Sequence, residues 1–297
     1  MTCRRGDGAL VVRAHDAPGP TLVVRADDLP GNVLGLAEEL ARLPPGPRKI
    51  AFYGEDGAGG LRYRFVQALP DGGFDFRAGC GHSLLACVVA AARPGPVTVR
   101  ALTTGDTVLC EPEPEPGPGP GAGTEPGPGP YGGAYTLHFL RAPDAPGTLP
   151  TGRPRDRLLG VPVSLVSYGN PYVFVDARHA RGRTHLLALR AEAARLLGHP
   201  PHSALPKIAA VRVTPRGLSV RALTVGGWHP RLALTGAAAL AAAGALEGTV
   251  VPPVDRPVRT PGGTVTVCAG PDRVSVRHKR ATVLGTCPLP WRIHATA

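Results

Sequence analysis

Cys80-Gly81-His82-Ser83 puts a thiol, an imidazole and a hydroxyl within four consecutive residues and runs directly into an apolar stretch, Leu84 to Ala92. In the second half of the chain Leu234-Thr235-Gly236 leads in the same way into Ala237 to Ala245. Both stretches are too apolar to face water. Each reads as a buried helix whose unpaired N–H groups and positive dipole end point back at the residues before it. Two such ends facing one another would hold an anion between them, with a thiol at one side. A helix N-terminus favours the thiolate, and a thiolate can act as a base toward a carbon acid. The competing reading of Cys80 is a small buried hydrophobe, the usual fate of a free cysteine. Cys87, inside the same helix, reads as packing.

The neighbouring candidates each carry two readings. Gly81 lets backbone approach closely, and the N–H groups of His82 and Ser83 can stabilise developing charge. His82 is an acid/base near neutrality or only a hydrogen-bonding residue. His229, after Gly226-Gly227-Trp228, is a second proton carrier facing Cys80 or a plain loop residue. Thr235 caps the second helix and, with Gly236, offers an anion site. Asn170, between Gly169 and Pro171, fixes a turn or binds a substrate carboxylate. Lys207 pairs with a carboxylate or ends a surface strand.

Composition narrows the setting. A chain of 297 residues with 43% hydrophobic content is long enough for one large or two ordinary domains. No apolar run reaches the roughly 20 residues of a membrane span, and Met1 to Asp7 is followed by no signal-like apolar segment. The six cysteines, Cys3, Cys80, Cys87, Cys110, Cys268 and Cys287, have neither metal-ligand nor disulfide-framework spacing. They read as reduced thiols in a cytoplasm. The net charge of +11 comes almost wholly from arginine; the lysines are Lys49, Lys207 and Lys279. With 5% aromatics and no basic stripe, nucleic acid is not an expected partner. A small anionic substrate suits the charge.

The elements that must position these residues follow from periodicity. Alternation predicts strands at 9–14, 21–25, 62–69, 97–102, 107–110, 134–140, 161–167, 172–176, 207–213, 218–224, 249–251, 264–268 and 273–277, with another near Phe74 and Phe76. Helical spacing marks 33–43 and 186–197, besides the buried helix of the first motif and the one at 235–246. Residues 111–133, almost all Pro, Glu and Gly, read as an extended surface insertion. Each half places a small-residue helix late among short strands. The expected architecture is therefore two similar α+β lobes, 1–150 and 151–297, with a cleft between them.

An ordered set of segments resembles the PrpF family. It comprises Thr148-Leu149-Pro150-Thr151-Gly152, Val163 to Val166, Gly169-Asn170-Pro171 through Ala177, and Pro206-Lys207-Ile208-Ala209. His229 through Thr235-Gly236 to Gly248-Thr249-Val250, Arg277-His278-Lys279-Arg280, Gly57 to Gly60 and Cys80-Gly81-His82 complete it. The resemblance implies a diaminopimelate epimerase-like α+β fold, with each lobe a curved sheet around a central helix. It also implies an isomerase of unsaturated carboxylic acids that uses no cofactor and no metal, with its site in the interlobe cleft. The last strand can cross back to the first lobe, and a homodimer is left open.

Departures from that family shape the rest. The family's acid/base lysine falls in the stretch Leu61 to Phe65, where Arg64 stands. An arginine does not shuttle protons at working pH but binds carboxylates bidentately, so Arg64 is expected to hold substrate. Cys-Gly-Asn is reduced to Cys80-Gly81-His82, and Thr235 stands where a two-thiol racemase would carry its second cysteine. The leading expectation is proton abstraction by Cys80 with His82 or His229. Arg64, Gly81, Ser83, Asn170, Lys207, Thr235 and Gly236 would bind the anion. The exchange of lysine for arginine supports an alternative, a biosynthetic isomerase or cyclase of a conjugated polyene. A non-catalytic anion binder is the third reading.

Overall fold

The computed structural model describes residues 8–25, 48–69, 72–114, 133–200, 203–224 and 227–288. The helix expected at 33–43 and residues 115–132 of the insertion lie outside them.

Strands β1 (Gly8–Ala14), β2 (Thr21–Arg25), β3 (Lys49–Glu55), β4 (Leu61–Ala68), β5 (Phe74–Asp75), β6 (Val97–Ala101), β7 (Thr107–Pro112) and β8 (Tyr135–Phe139) build sheet one around helix α1 (Gly81–Ala91). Sheet two contains β9 (Asp156–Leu158), β10 (Val161–Tyr168), β11 (Asn170–Asp176), β12 (Lys207–Thr214), β13 (Gly217–Thr224), β14 (Gly227–Trp228), β15 (Val258–Thr260) and β16 (Gly263–Val265). Helix α2 (Gly182–Leu196) follows β11, and α3 (Leu234–Ala245) follows β14. The chain then returns. Strands β17 (Val267–Ala269) and β18 (Val274–Lys279) extend sheet one beside β8, and β19 (Ala281–Pro288) pairs with β1.

Period-two alternation decides which side chains meet the helices. On β3, Ala51 packs in the core that contains α1, whereas Ile50 and Phe52 join a separate cluster on the other face. On β4, Leu61, Tyr63 and Phe65 face α1 while Arg62 and Arg64 are exposed. On β12, Ala209 and Val211 face the core of α3, and Ile208 packs with Leu186, Leu189 and Ala193 of α2 on the outer face. Helices α1 and α3 share one apolar core that runs through both lobes. Their alanines let strands close in on every side. Leu85 and Leu240 are fully buried, each stabilising by about 1.5–3 kcal/mol relative to exposure.

The strand expected at 249–251 does not form. Thr249 instead donates from Oγ1 to the Ala243 carbonyl at 2.8 Å and closes the C-terminal turn of α3. Arg155 binds the Thr249 carbonyl at 3.0 Å. Strands β3, β9, β14, β15 and β19 were not anticipated, and the strand expected at 264–268 divides into β16 and β17, which belong to different sheets.

Candidate active site

Cys80 occupies the cap position before α1, in extended backbone, with no side-chain cap bond. The corresponding position before α3 is Ala233, not Thr235. That corrects the expected capping role, because Thr235 lies inside the first turn of the helix. The two helix ends meet. A Cβ on Gly81 would fall 2.6 Å from Leu234 Cδ2 and 2.9 Å from its Cβ. On the other side, a Cβ on Gly236 would overlap the Tyr172 ring and hydroxyl. At both places glycine makes room for a neighbouring side chain, Leu234 or Tyr172.

Cys80 is half-buried and its carbonyl accepts the Tyr63 hydroxyl at 2.9 Å. Burial pushes the thiol up, but Lys49 and Lys207, helped by the hydroxyl and N–H of Ser83, outweigh it and bring the thiol below its ordinary value. Ser83 is fully buried and shares a 2.9 Å hydrogen bond with Thr21 of β2. Cys87 is pushed well up by burial and by Cys80, in keeping with a packing role. Cys80, Cys87, Cys110 and Cys268 are free thiols.

His82 and His229, one from each lobe, stack with ring centroids 6.0 Å apart and planes 14° from parallel. Both are buried. Burial, then His229 and the three lysines, hold His82 well below its ordinary value. Burial, Lys207 and Lys49 bring His229 down to about 4. His229 Nδ1 accepts the Arg231 N–H at 3.2 Å, which assigns the proton to Nε2. His82 Nε2 is buried and has no hydrogen-bond partner. Neither ring is a cation near neutrality. Each ring is therefore neutral at the site and can donate a hydrogen bond from its N–H.

Asn170 is fully buried and spends its amide on the protein. Its Oδ1 accepts the Gly79 N–H at 2.7 Å, and its Nδ2 donates to the Gly79 carbonyl at 2.7 Å and to Thr235 Oγ1 at 3.2 Å. It fastens lobe two to the residue before Cys80 and leaves no donor for a substrate carboxylate. Arg64 is exposed on the outer face of β4, so it neither replaces a lysine at the site nor holds substrate there. Lys207 faces α3 and Cys80, half-buried and lowered chiefly by burial.

Three residues that sequence reading did not assign join the site: Lys49, Tyr63 and Tyr172. The Tyr172 hydroxyl is buried beside Gly236 without a well-formed hydrogen bond. The available signal was the scarcity of lysine. All three lysines, drawn from β3, β12 and β18, act on His82. The small cavity at Cys80, also lined by Gly169 and Thr235 of lobe two, admits little more than a water molecule. A larger ligand therefore needs the lobes to part.

Solved structures share this fold. A methylitaconate Δ-isomerase superposes with a TM-score of 0.64 at 20% identity, over 95% of this chain and 94% of that one. A hydroxyproline epimerase from Agrobacterium vitis gives 0.61 at 16% identity, over 97% and 94%. A PhzF-family phenazine biosynthesis protein from Enterococcus faecalis gives 0.55 at 12%, over 95% and 99%. The fold is that of diaminopimelate epimerase. No protein-family model and no curated protein sequence matches the chain. Among the described residues, no helix is long and apolar enough to cross a membrane, and no three His, Cys, Asp or Glu side chains gather as a metal site.

Proposed function

We propose that this chain is an isomerase that shifts a double bond in a small unsaturated carboxylic acid, with Cys80 as its base. The carrying observation is the half-buried Cys80 thiol at the N-terminus of α1, lowered by lysines from both lobes and set against the N-terminus of α3. The thiolate takes an allylic proton: the C–H bond breaks, an S–H bond forms, and the electron pair spreads into the carboxylate as a dienolate. The first-turn N–H groups of both helices, with neutral His82 and His229, stabilise that charge. The same thiol returns the proton to the other end of the allylic system and the thiolate is restored. Thr235, which lines the cavity at Cys80 from lobe two, supplies no second thiol, so removal and return fall to one sulfur and one face of the substrate.

Asp106 lines the cavity at Cys80, while two other acidic groups near the site are already engaged by the protein. Asp16 is held by Lys279 at 2.6 Å and Arg231 at 3.1 Å. Asp75 accepts Ser203 Oγ at 2.8 Å and the Ala204 N–H at 2.7 Å. Neither is free to receive a substrate ammonium. The polyene-cyclase reading rested on Arg64 standing in for a site lysine, and its exposure removes that support.

The test is turnover of a panel of unsaturated di- and tricarboxylic acids in heavy water, followed by proton NMR. Isomer formation is expected from the wild type. A fall of about 10²-fold or more is expected in Cys80→Ser, with unchanged melting temperature. Full activity in Cys80→Ala rules the reading out, and ligand-induced stabilisation without turnover makes the chain a binding protein.

A further inference from the structure

Lysine is rare here, only three of 33 basic residues, yet the three come from separate elements and converge. Lys279 is buried and neutralised by Asp16 at 2.6 Å. Lys49 and Lys207 have no carboxylate partner among the described residues. Lys49 opens β3 on the face that Ala51 presents to α1, and its Nζ donates to the Gly19 carbonyl at 3.3 Å, a long bond. Two residues beyond Gly19, Thr21 bonds Ser83 in the first turn of α1. Lys49 therefore stands at the end of that helix where Cys80 lies. Lys207 takes the matching place in lobe two, opening β12 on the face toward α3 and paired in register with Tyr172.

Resting on the isomerase reading for its catalytic meaning, we propose that Lys49 is a positioning residue whose ammonium, opposite Lys207, holds the Cys80 sulfur as an anion ready for substrate. Its compact head and long stem suit a half-buried berth that the planar guanidinium of the chain's other basic residues fills poorly. The other titratable groups around the sulfur do not supply this charge: Asp106, which lines the same cavity, is raised by burial and when ionised carries the opposite sign. Tyr63 and Cys87 are held protonated by burial, Tyr172 is raised by burial and by Cys80 itself, and His82 and His229 are neutral.

The experiment measures alkylation of Cys80 by iodoacetamide against pH in the full chain. Cys80 is read by peptide mass spectrometry, because the exposed Cys268 also reacts. Lys49→Met is expected to cut the Cys80 rate about tenfold near neutrality and to move its profile to higher pH, while Lys49→Arg, which keeps the charge in a poorer fit, restores only part of it. Lys279→Met is expected to leave the profile near that of the wild type. Should Lys49→Met fail to fold, Lys49→Gln, which keeps a donor for the Gly19 carbonyl, makes the same comparison. A wild-type profile in a folded Lys49→Met or Lys49→Gln protein overturns the proposal. No turnover is needed. A Lys49-dependent thiol in an inactive wild type would sink the isomerase reading alone, and an active wild type with an indifferent thiol would sink this inference alone.

Discussion

A histidine that folding keeps neutral costs stability in acid, and His229 gives the clearest case. Its value in the unfolded chain is about 6.5 and in the folded protein about 4, through burial and the nearby lysines. Between those two values the unfolded state binds more protons, so its contribution is complete above about pH 6.5 and lost as pH falls toward 4. The loss amounts to about 3 kcal/mol at most, and His82 adds to it in the same direction. Melting temperature measured against pH should therefore decline steeply across this window. In His229→Asn, whose Oδ1 can still accept the Arg231 N–H, the decline should be shallower. Equal slopes in the two proteins would mean that His229 is protonated in the folded state.

The helix ends depend on missing side chains. Gly236 has an ordinary helical backbone, and alanine there would gain about 1 kcal/mol of helix propensity. The added methyl would overlap the Tyr172 ring, which is stacked on Phe174 with centroids 5.6 Å apart and has little room to swing. Overpacking of this kind costs about 1–3 kcal/mol. Gly236→Ala should lower stability in denaturant titration, and Gly236→Ala with Tyr172→Phe should recover part of the loss, since the hydroxyl is the nearest atom. The same level shows what could be read from sequence. Apolar runs after Gly81 and Gly236 announced both central helices, and alternation gave most strands. Arg64 was misplaced because matching it to a family lysine ignored that Tyr63 and Phe65, its neighbours, are the residues facing inward. Thr235 was taken for a cap because it is the obvious capping residue, whereas packing of Leu234 against Gly81 starts the helix two residues earlier. Residue type marked these sites, but phase within a strand or turn decided where each side chain went.

Several polar contacts fasten the lobes together. Asn170 grips both backbone groups of Gly79, Asp75 receives Ser203 and Ala204, and Asp16 joins Arg231. The cavity at Cys80 is too small for an acid of several carbons, so the lobes must part and re-form these contacts in each cycle. Asn170 is the critical fastening because it holds the residue next to the thiol. Asn170→Ala would strand the buried N–H and carbonyl of Gly79, at about 1–3 kcal/mol for each unmade partner. A melting temperature lower by several degrees is expected in calorimetry. Asn170→Asp should do worse, because a carboxylate oxygen would then face the Gly79 carbonyl. Alongside the thermal change, kcat should fall more than KM rises, since Cys80 loses its placement while the lysines remain. If Asn170→Ala instead melts like the wild type and turns over normally, the lobes are held by the shared apolar core alone, and the position of Cys80 is set entirely by α1.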